Sequence, residues 1–367
     1  MKSKYKFLWA VVLISISTMS LSCQKQKAEW RGTIEEVDGV TFVKNPKEPM
    51  YGENVFNLEE ELSVGEAEGR EEYMFSQVGS IAVDDKERVY VSDTKEFHIK
   101  IFEKDGNYLK SVGRKGQGPG EFERITSIQI TPQKELLVFD SRSRRLSFFS
   151  LEGEFIKSKS IGEIQVLDLE MNSKGNIIAS SVLLDPKTAL AVTELRIYGS
   201  DLKLISTISA SEPRDVFTPF LPFFVWSLTD NDNIIYGYNK TYEFQILDPH
   251  GETIKKIIKE YDPVRITEEE RKKRLENLSP RNEVPHFHPA FRNFSFDDNG
   301  RIFVQTWEKP KDKEGYYYDV FDSEGKYLAK IALEAVPRVL KRNRLYTIEE
   351  DKEGYQFVKR YKVTWKY

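Results

Sequence analysis

The stretch SIAVDDKERVYVSDTKEFHIKIFEKDGNYLKSVG, residues 80–113, contains four short runs in which apolar and polar residues alternate. Turn residues separate the runs: DDKE follows the first, and Asp105-Gly106 joins the third to the fourth. Alternation with a period of two is typical of a half-buried β-strand, and an Asp-Gly pair between two such runs is a strong hairpin signal. The stretch therefore predicts four antiparallel strands that form one small sheet.

The same pattern returns four times further along the chain, in residues 127–161, 167–208, 223–257 and 291–331. The last turns of the first four copies fall at Gly106, Gly153, Asp201 and Gly251, in steps of 47, 48 and 50 residues. The fifth, Gly325, comes 74 residues later because an insertion precedes it. A four-stranded repeat of this length is the signature of a propeller blade, whereas a meandering β-sandwich leaves the regular spacing unexplained.

The two chain ends supply the strands that remain. Residues 336–365 offer three more strands, and residues 30–45 contain a strand pair around Asp38-Gly39. If one N-terminal strand completes the last blade, the ring is sealed and no edge is left open to aggregation. The sequence thus predicts an all-β fold, a six-bladed β-propeller of four-stranded antiparallel blades over residues 30–367, with seven blades as the alternative.

The N-terminus has the features of a bacterial export signal. Residues 1–22 combine three lysines with an apolar run that is too short to span a bilayer with ease. Cys23 is the only cysteine and stands where a lipoprotein signal places the lipid anchor, although Ser20 replaces the usual leucine. We expect a tether over residues 23–29 and an outer-membrane lipoprotein facing the periplasm or the surface. An ordinary secreted protein cut nearby is the alternative.

The net charge of the chain limits the partners that it can be expected to bind. The formal net charge is −4, and it becomes −7 once residues 1–22, with three lysines and no acid, are removed. Nucleic-acid binding needs a basic footprint, so this balance argues against it. We expect a monomer whose partners are a ligand or an envelope protein and, through the lipid anchor, the membrane.

The glycine-rich stretch GRKGQGPGEF, residues 113–122, looks at first like a phosphate-binding loop. Such a loop should open a helix whose N-terminus faces the anion. Here ERITSIQIT follows, which is another strand pattern. The stretch is therefore interpreted as the link between one blade and the next.

Together with the preceding VYVSDT…IKIFEKDG pattern, this G-x-G-P-G-E-F link resembles the NHL repeat family. The resemblance is close over residues 79–122, fair over 123–161 and architectural beyond. The whole chain also resembles exported bacterial six-bladed propellers, including Trp30-x-Gly32 and Asn45-Pro46. The resemblance implies a positive φ at Gly116, Gly118 and Gly120. It also implies that Phe122 packs between blades. Asp93 and Asp140 are expected to fasten the link between second and third strands.

In a propeller, the links between second and third strands share one face with the links between blades. Basic and aromatic residues dominate this predicted face, which suits an anionic or sugar-like ligand. The alternative is that the aromatic rings wedge between blades and the charges are solvated. The links between blades contribute Arg114, Lys115, Arg124, Phe220, Trp226, His286, His288 and Arg292, and the links within blades contribute Lys95, Arg142, Arg144, Lys240 and Trp307.

His286 and His288 are the candidate metal ligands. On a strand, residues i and i+2 face the same way, so both imidazoles could approach one ion. A catalytic zinc normally takes three protein ligands, however, and only His98 and His250 remain. NHL-like peptidyl-amide lyases use a histidine set that this chain does not reproduce. No cofactor is expected apart from a divalent metal at this pair.

The insertion at residues 262–282 has a helical pattern. Thr267 and Glu270 form a capping-box motif, and three pairs of opposite charge stand four residues apart. Ser279-Pro280 is expected to end the helix. The helix is either a lid or docking element over the channel mouth, or a solvated surface helix.

Two functions remain open from the sequence. The first is a non-catalytic module that binds a ligand or protein through the basic, aromatic face. The alternative is a propeller lyase or hydrolase that acts on a saccharide or peptide with a metal at His286 and His288. No Gly-x-Ser-x-Gly motif is present, and no catalytic residue can be named. RNA binding, known for some NHL proteins, conflicts with both export and charge.

Overall fold

The computed structural model describes residues 29–52, 55–188, 190–215, 218–276 and 284–367. The predicted signal peptide, Cys23 and most of the tether lie outside these residues. Across the described chain, six separate sheets are arranged as blades, each built around four antiparallel strands that are consecutive or, in one case, come from both chain ends. No helix of the described residues has the length and apolar character needed to cross a membrane.

In chain order the strands are β1 (Thr33–Val37), β2 (Val40–Asn45), β3 (Phe56–Val64), β4 (Val78–Val83), β5 (Val89–Asp93), β6 (His98–Phe102), β7 (Tyr108–Val112), β8 (Ile125–Ile130), β9 (Glu135–Asp140), β10 (Arg145–Ser150), β11 (Phe155–Ser160), β12 (Asp168–Met171), β13 (Ile177–Leu184), β14 (Leu190–Tyr198), β15 (Leu204–Ala210), β16 (Arg214–Asp215), β17 (Phe224–Leu228), β18 (Ile234–Tyr238), β19 (Glu243–Leu247), β20 (Thr253–Lys259), β21 (Asn293–Phe296), β22 (Ile302–Gln305), β23 (Tyr316–Phe321), β24 (Tyr327–Leu333), β25 (Pro337–Lys341), β26 (Arg344–Glu350) and β27 (Gln356–Trp365). The helix α1 (Glu268–Leu275) and a 3-10 turn at Glu71–Tyr73 complete the elements of the described residues.

The blades follow one another along the chain. Blade 1 is β4–β7, blade 2 is β8–β11, blade 3 is β12–β15, blade 4 is β17–β20, blade 5 is β21–β24, and blade 6 is β25–β27 with β3. First strands of neighbouring blades contact each other, those of blades 3 and 4 through Glu170 and Leu228, and β25 of blade 6 contacts β4 of blade 1. The first strands therefore surround a central axis, and the prediction of six blades is confirmed over the seven-bladed alternative.

The core lies between blades rather than within them. Phe122 is fully buried in a cluster that joins apolar side chains of blade 1 to those of blade 2. Its ring lies 5.9 Å from that of Phe149. Burying such a ring contributes on the order of 2 kcal/mol, and a propeller repeats this arrangement at each blade boundary. The expected position of Phe122 between blades is therefore confirmed.

Both chain ends seal the ring, as the sequence predicts, but the sealing strand is β3. It pairs antiparallel with β27, from Val64 opposite Val358 to Phe56 opposite Trp365. The predicted strand pair around Asp38-Gly39 is present as the β1–β2 hairpin. This hairpin extends the outer edge of blade 4, where β2 runs parallel to β20. Blade 4 thereby becomes a six-stranded sheet.

Asn45 connects this hairpin to the neighbouring blade 5. Its buried side chain donates to the carbonyl of Gly325 at 2.9 Å and accepts from the backbone of Tyr327 at 2.7 Å. The indole Nε1 of Trp30 donates to the same amide oxygen at 2.9 Å. Leaving such a buried amide unpaired would cost about 1–3 kcal/mol. The Trp30 and Asn45-Pro46 motifs thus fasten the N-terminal segment to the outside of the ring.

The predicted turn and fastener residues behave largely as expected. Gly116 and Gly120 have φ of 153° and 73°, whereas Gly118 does not adopt a positive φ, so that part of the prediction is wrong. A Cβ at Gly118 would instead approach the Glu121 carboxylate at 3.0 Å. The Asp140 carboxylate accepts from the backbone of Arg142 at 3.0 Å within its link, and from Glu123 at 2.7 Å in the incoming link. Asp93 accepts in the same way from Ser76 at 2.7 Å.

We name the two faces of the ring by their connections. The upper face carries the links between blades and those between second and third strands, and the lower face carries the remaining turns. On the lower face, the first turns of neighbouring blades are tied together around the axis. Asp85 of blade 1 pairs with Lys134 of blade 2 and, at 3.1 Å, with Lys341 of blade 6. Ser173 of blade 3 donates its backbone N–H to Asp232 of blade 4 at 2.8 Å.

Candidate functional site

The upper face of blade 5 brings together basic and aromatic side chains from several links. Trp307 follows β22, and its ring stacks on that of His288 with centroids 4.1 Å apart and planes 8° apart. The Arg292 guanidinium lies 4.5 Å from the Trp307 ring centroid and 4.0 Å from that of Tyr316. Phe220, from the link between blades 3 and 4, meets His288 edge-on at 5.5 Å. Four predicted residues, Phe220, His288, Arg292 and Trp307, therefore lie together.

Strand pairing places two further polar side chains in this region. Gln305 ends β22 and is paired with Tyr318 in β23. The backbone N–H of Arg292 donates to the carbonyl of Gln305 at 2.8 Å. Burial raises the pKa of Tyr318, and the charges of Arg292 and Arg338 act in the opposite direction. The blade 5 cluster, as we call it, consists of His288, Arg292, Gln305, Trp307, Tyr316 and Tyr318.

Five polar atoms of the blade 5 cluster are buried without a hydrogen-bond partner in the described protein. They are His288 Nδ1, Arg292 Nη1, Gln305 Nε2, Trp307 Nε1 and Tyr318 OH. Buried side-chain polar atoms are nearly always paired, and each one left unpaired costs about 1–3 kcal/mol. Five of the atoms of this kind in the described residues therefore lie in or beside one blade. The nitrogens of Arg292, Gln305 and Trp307 are donors only, so the cluster can receive acceptor atoms.

The inserted helix is connected to this cluster through Glu270. The capping box predicted for Thr267 and Glu270 is present at the start of α1. The Glu270 carboxylate also pairs with Lys309 at 3.2 Å and lies 3.4 Å from His288 Nε2. Burial raises the pKa of Glu270, but hydrogen bonds from Thr267 and Lys309 outweigh burial and lower the pKa to about 2. The predicted end of the helix at Ser279-Pro280 lies outside the described residues.

The environment of His288 determines which hydrogen bonds its imidazole can still form. Its side chain is 3% exposed, and burial lowers the pKa of its imidazole below the ordinary value, although Glu270 acts in the opposite direction. A neutral imidazole beside the Glu270 carboxylate carries its proton on Nε2, because the carboxylate can only accept. The unpartnered Nδ1 is then an acceptor. His288 thus adds one acceptor to a set of donors.

The candidate metal site receives no third ligand from the described residues. Neither His286 nor His288 belongs to a group of three or more His, Cys, Asp or Glu side chains that could hold an ion there. His288 is buried, whereas His286 is exposed and its carbonyl accepts from the backbone of Ile266 at 2.9 Å. The described residues therefore do not complete the zinc geometry considered from the sequence.

The other predicted residues are spread over the upper face rather than gathered at one point. Arg124 and Arg142 are exposed. Arg144 borders a cavity of about 340 Å³ between blades 2 and 3. Lys240 borders another of about 330 Å³ between blades 3 and 4. Trp226 is not part of a link, because it lies within β17 and packs in the core between blades 3 and 4.

Sequence reasoning missed Gln305, Tyr316 and Tyr318 as members of the cluster. The run Tyr316-Tyr317-Tyr318 at the start of a third strand is an unusual concentration of rings, and it is the one signal that could have indicated them. Gln305 carries no such signal. Its position depends on the register between β21, β22 and β23, which a single sequence does not define.

The family profile described as "6-bladed beta-propeller", DUF5128, matches residues 66–360. The chain therefore belongs to this family of six-bladed β-propellers. A search of curated proteins finds no match.

Several solved structures are similar to this chain. A protein described as exported, from Bacteroides fragilis, has a TM-score of 0.57 at 10% identity, covering 89% of this chain and 100% of its own. A DUF4221 family member from Bacteroides vulgatus has a TM-score of 0.53 at 11% identity, covering 86% and 100%. A virginiamycin B lyase from Staphylococcus aureus has a TM-score of 0.45 at 10% identity, covering 84% and 99%. Such low identities indicate the fold alone.

Proposed function

We propose that this protein is a binding module and that the blade 5 cluster is its ligand site. The observation that carries the proposal is the group of five buried polar side-chain atoms without partners around Arg292 and Trp307. A ligand rich in acceptor oxygens, such as an acidic saccharide, would pair with these donors. The site would then be used to recognise a ligand rather than to transform it.

Charge favours an anionic group at this site. The Arg292 guanidinium contacts two aromatic rings, and its Nη1 has no hydrogen-bond partner in the described protein. Arg338 is close enough to influence the same tyrosine, Tyr318. A carboxylate paired with an arginine forms a hydrogen bond worth roughly 1.5–3 kcal/mol. A uronic acid offers that carboxylate together with hydroxyl and ring oxygens that can accept further hydrogen bonds.

The helix α1 is part of the proposal as a cover over this site. Because the unpartnered atoms are buried, a ligand reaches them only when a neighbouring segment moves. The α1 segment is the candidate, since Glu270 bridges it to Lys309 and His288. Lids that close over a site by a few polar contacts are a common arrangement.

We also propose a cellular location for the protein. Cleavage before Cys23, lipidation of that residue and attachment to the outer membrane are expected from residues 1–29. The NHL-like character of blades 1 and 2 also stays a prediction. A monomer that displays its upper face to the periplasm or the surface would meet soluble ligands or envelope proteins.

The experiment compares matched charged and neutral ligands. A trisaccharide of glucuronic acid and the glucose trisaccharide of the same linkage are titrated calorimetrically into residues 24–367. We expect binding of the acidic sugar and a loss of roughly 10–100-fold on Arg292→Gln, because one charge-assisted hydrogen bond is removed. Arg124→Gln, an exposed arginine of another blade, is the control and should bind normally.

Two results would contradict the proposal. Equal weakening of both sugars by Arg292→Gln, or unchanged binding of the acidic sugar by this variant, would show that the cluster does not select an anion. Stoichiometric metal that is lost on His286→Ala, together with turnover, would favour instead the lyase or hydrolase alternative.

A further inference from the structure

A second region of the upper face has a different chemistry. A cavity of about 330 Å³ lies between the outer strand of blade 3 and the upper part of blade 4. We call it the blade 3–4 slot. Its lining consists of Ser209, Ala210, Ser211, Glu212, Phe224, Tyr236, Gly237, Tyr238, Lys240, Thr241, Glu243 and Gln245.

Three rings form one wall of the slot because they lie on one face of blade 4. Phe224 in β17 is paired with Tyr238 in β18, and Tyr236 stands two residues before Tyr238 on the same face. The Phe224 ring lies 5.5 Å from that of Tyr238 and 6.1 Å from that of Tyr236. All three are only partly buried. An accessible aromatic wall offers stacking surface to a flat, weakly polar ring.

Polar side chains stand beside this wall. Gln245 is paired with Tyr236 across β18 and β19, which places Glu243 and Gln245 on the same face as the rings. Burial raises the pKa of Tyr236, and the charge of Glu243 adds to that effect, so the hydroxyl stays protonated. On the opposite rim, Glu212 pairs with Lys240 at 3.5 Å, both largely exposed.

The charge balance differs from that of the blade 5 cluster. Two carboxylates and one ammonium line the slot, and the ammonium is already paired with Glu212. An anionic ligand would meet the Glu243 carboxylate, whereas sugar hydroxyls can donate to it. The volume lies at the lower end of the range for small-molecule sites, which suits one or two sugar rings.

We propose that the blade 3–4 slot binds a neutral saccharide, with its C–H face on Phe224 and Tyr238 and its hydroxyls donating to Glu243. The slot is next to the blade 5 cluster, because Asn239 beside it donates to the carbonyl of Phe291 at 2.6 Å. The inference nevertheless rests on its own cavity and rings and does not require the cluster to bind anything.

The test uses neutral disaccharides of glucose with α-1,4, β-1,4 and β-1,3 linkages. Each is added at up to about 20 mM, a range suited to millimolar affinity, and binding is followed by saturation-transfer NMR and calorimetry. We expect at least one linkage to bind the wild-type protein. Glu243→Gln should weaken it about tenfold, since a charged acceptor is replaced by a weaker neutral one while the side-chain shape is kept.

Tyr238→Ala is the second variant and should remove detectable binding through loss of stacking. If Tyr238→Ala lowers the melting temperature, Glu243→Gln still tests the proposal, because that substitution keeps the side-chain volume. Arg292→Gln should leave neutral-saccharide binding unchanged, which separates this inference from the role proposed for the blade 5 cluster. Absence of binding for all three disaccharides, or wild-type affinity in Glu243→Gln, would overturn it.

Discussion

The lower and upper faces of the ring differ in how their polar side chains are paired. On the lower face, turns of neighbouring blades are joined to each other: Asp85 holds both Lys134 and Lys341, and Arg342 donates its backbone N–H to Asp298 at 2.8 Å. On the upper face of blade 5, buried donors of Arg292 and Trp307 have no partner in the described protein.

The difference indicates how the two faces are used. The ion pairs and hydrogen bonds between turns of neighbouring blades stabilise the ring, and they leave few polar groups free to bind a ligand. Unpartnered buried groups lower stability, and natural proteins keep them mainly where binding or catalysis needs them. We therefore expect changes on the lower face to alter unfolding and changes on the upper face to alter binding. The predictions for Asp85 and Glu270 can break or sharpen this division, and the prediction for Glu170 gives the scale of a stability effect outside both faces.

The largest effect on stability is expected in the channel wall, which belongs to neither face. Glu170 in β12 accepts from the backbone of Leu228 at 3.3 Å and from the Ser227 hydroxyl at 3.4 Å in blade 4. Burial, followed by the charge of Asp168, raises the pKa of Glu170 to about 8. The protonated acid is thus favoured in the folded state, and its ionisation costs stability as pH rises from about 4.5 through 8.

Glu170→Gln keeps the acceptor and removes this ionisation. The variant should match the wild type near pH 4.5 and exceed its free energy of unfolding by about 3 kcal/mol at pH 9, allowing for solvent in the channel. Urea denaturation at a series of pH values measures the difference. Glu163→Gln, a fully exposed acid, should show no such trend. A difference in the free energy of unfolding that stays constant with pH would contradict a raised pKa of Glu170 in the folded protein.

A smaller effect is expected on the lower face. Hydrogen bonds from Lys134 and Lys341 lower the pKa of Asp85 to about 2. Its contribution to stability is therefore present above about pH 4 and is lost as pH falls through 2. Because the group is half exposed, Asp85→Asn should cost only about 1 kcal/mol at pH 7.

The same variant should bind the acidic trisaccharide with wild-type affinity, which is the outcome that the division between faces requires. Thermal denaturation at pH 7 and pH 3 measures the stability change, and calorimetry measures binding. Asp312→Asn, at an exposed position of the upper face, is the control for the loss of one charge. Weaker binding by Asp85→Asn would mean that the two faces are coupled.

The smallest effect concerns the contact between α1 and the upper face. Glu270→Gln preserves the capping box, since glutamine also serves at that position, but removes the charge paired with Lys309. The pKa of Glu270 is held near 2, so the loss of its charge should lower the free energy of unfolding at pH 7, but by no more than about 1 kcal/mol once solvent screening is allowed for. The association rate of the acidic trisaccharide, measured by stopped flow, should rise a few-fold because the cover opens more readily. Glu269→Gln on the same helix is the control, and an equal change in both variants would argue against a cover.

Local sequence patterns were sufficient to predict the ring. The expectations for Phe122, Asp93 and Asp140 came from the resemblance to the NHL family, and they hold because a blade boundary is built from residues close in sequence. The attachment of the β1–β2 hairpin to blade 4 could not be predicted, since Thr41 pairs with Lys255 and no local signal marks so distant a partner.

The site was only partly predictable for a related reason. His288, Arg292 and Trp307 were assigned to the right face because links between strands have a fixed side of the ring. Gln305 and Tyr318 lie inside strands, where a shift of one residue turns a side chain to the other face of the sheet. Trp226 shows the opposite error, because a link was expected where β17 has already begun.

The indole N–H signals of the tryptophans test the central claim most directly. Trp307 Nε1 is buried without a partner, whereas Trp30 Nε1 already donates to Asn45 at 2.9 Å. In a two-dimensional ¹H–¹⁵N spectrum titrated with the acidic trisaccharide, assigned by Trp307→Phe, the Trp307 signal should shift downfield as its N–H gains an acceptor, while that of Trp30 stays in place. Binding that leaves the Trp307 signal unmoved would contradict the assignment of the blade 5 cluster as the ligand site.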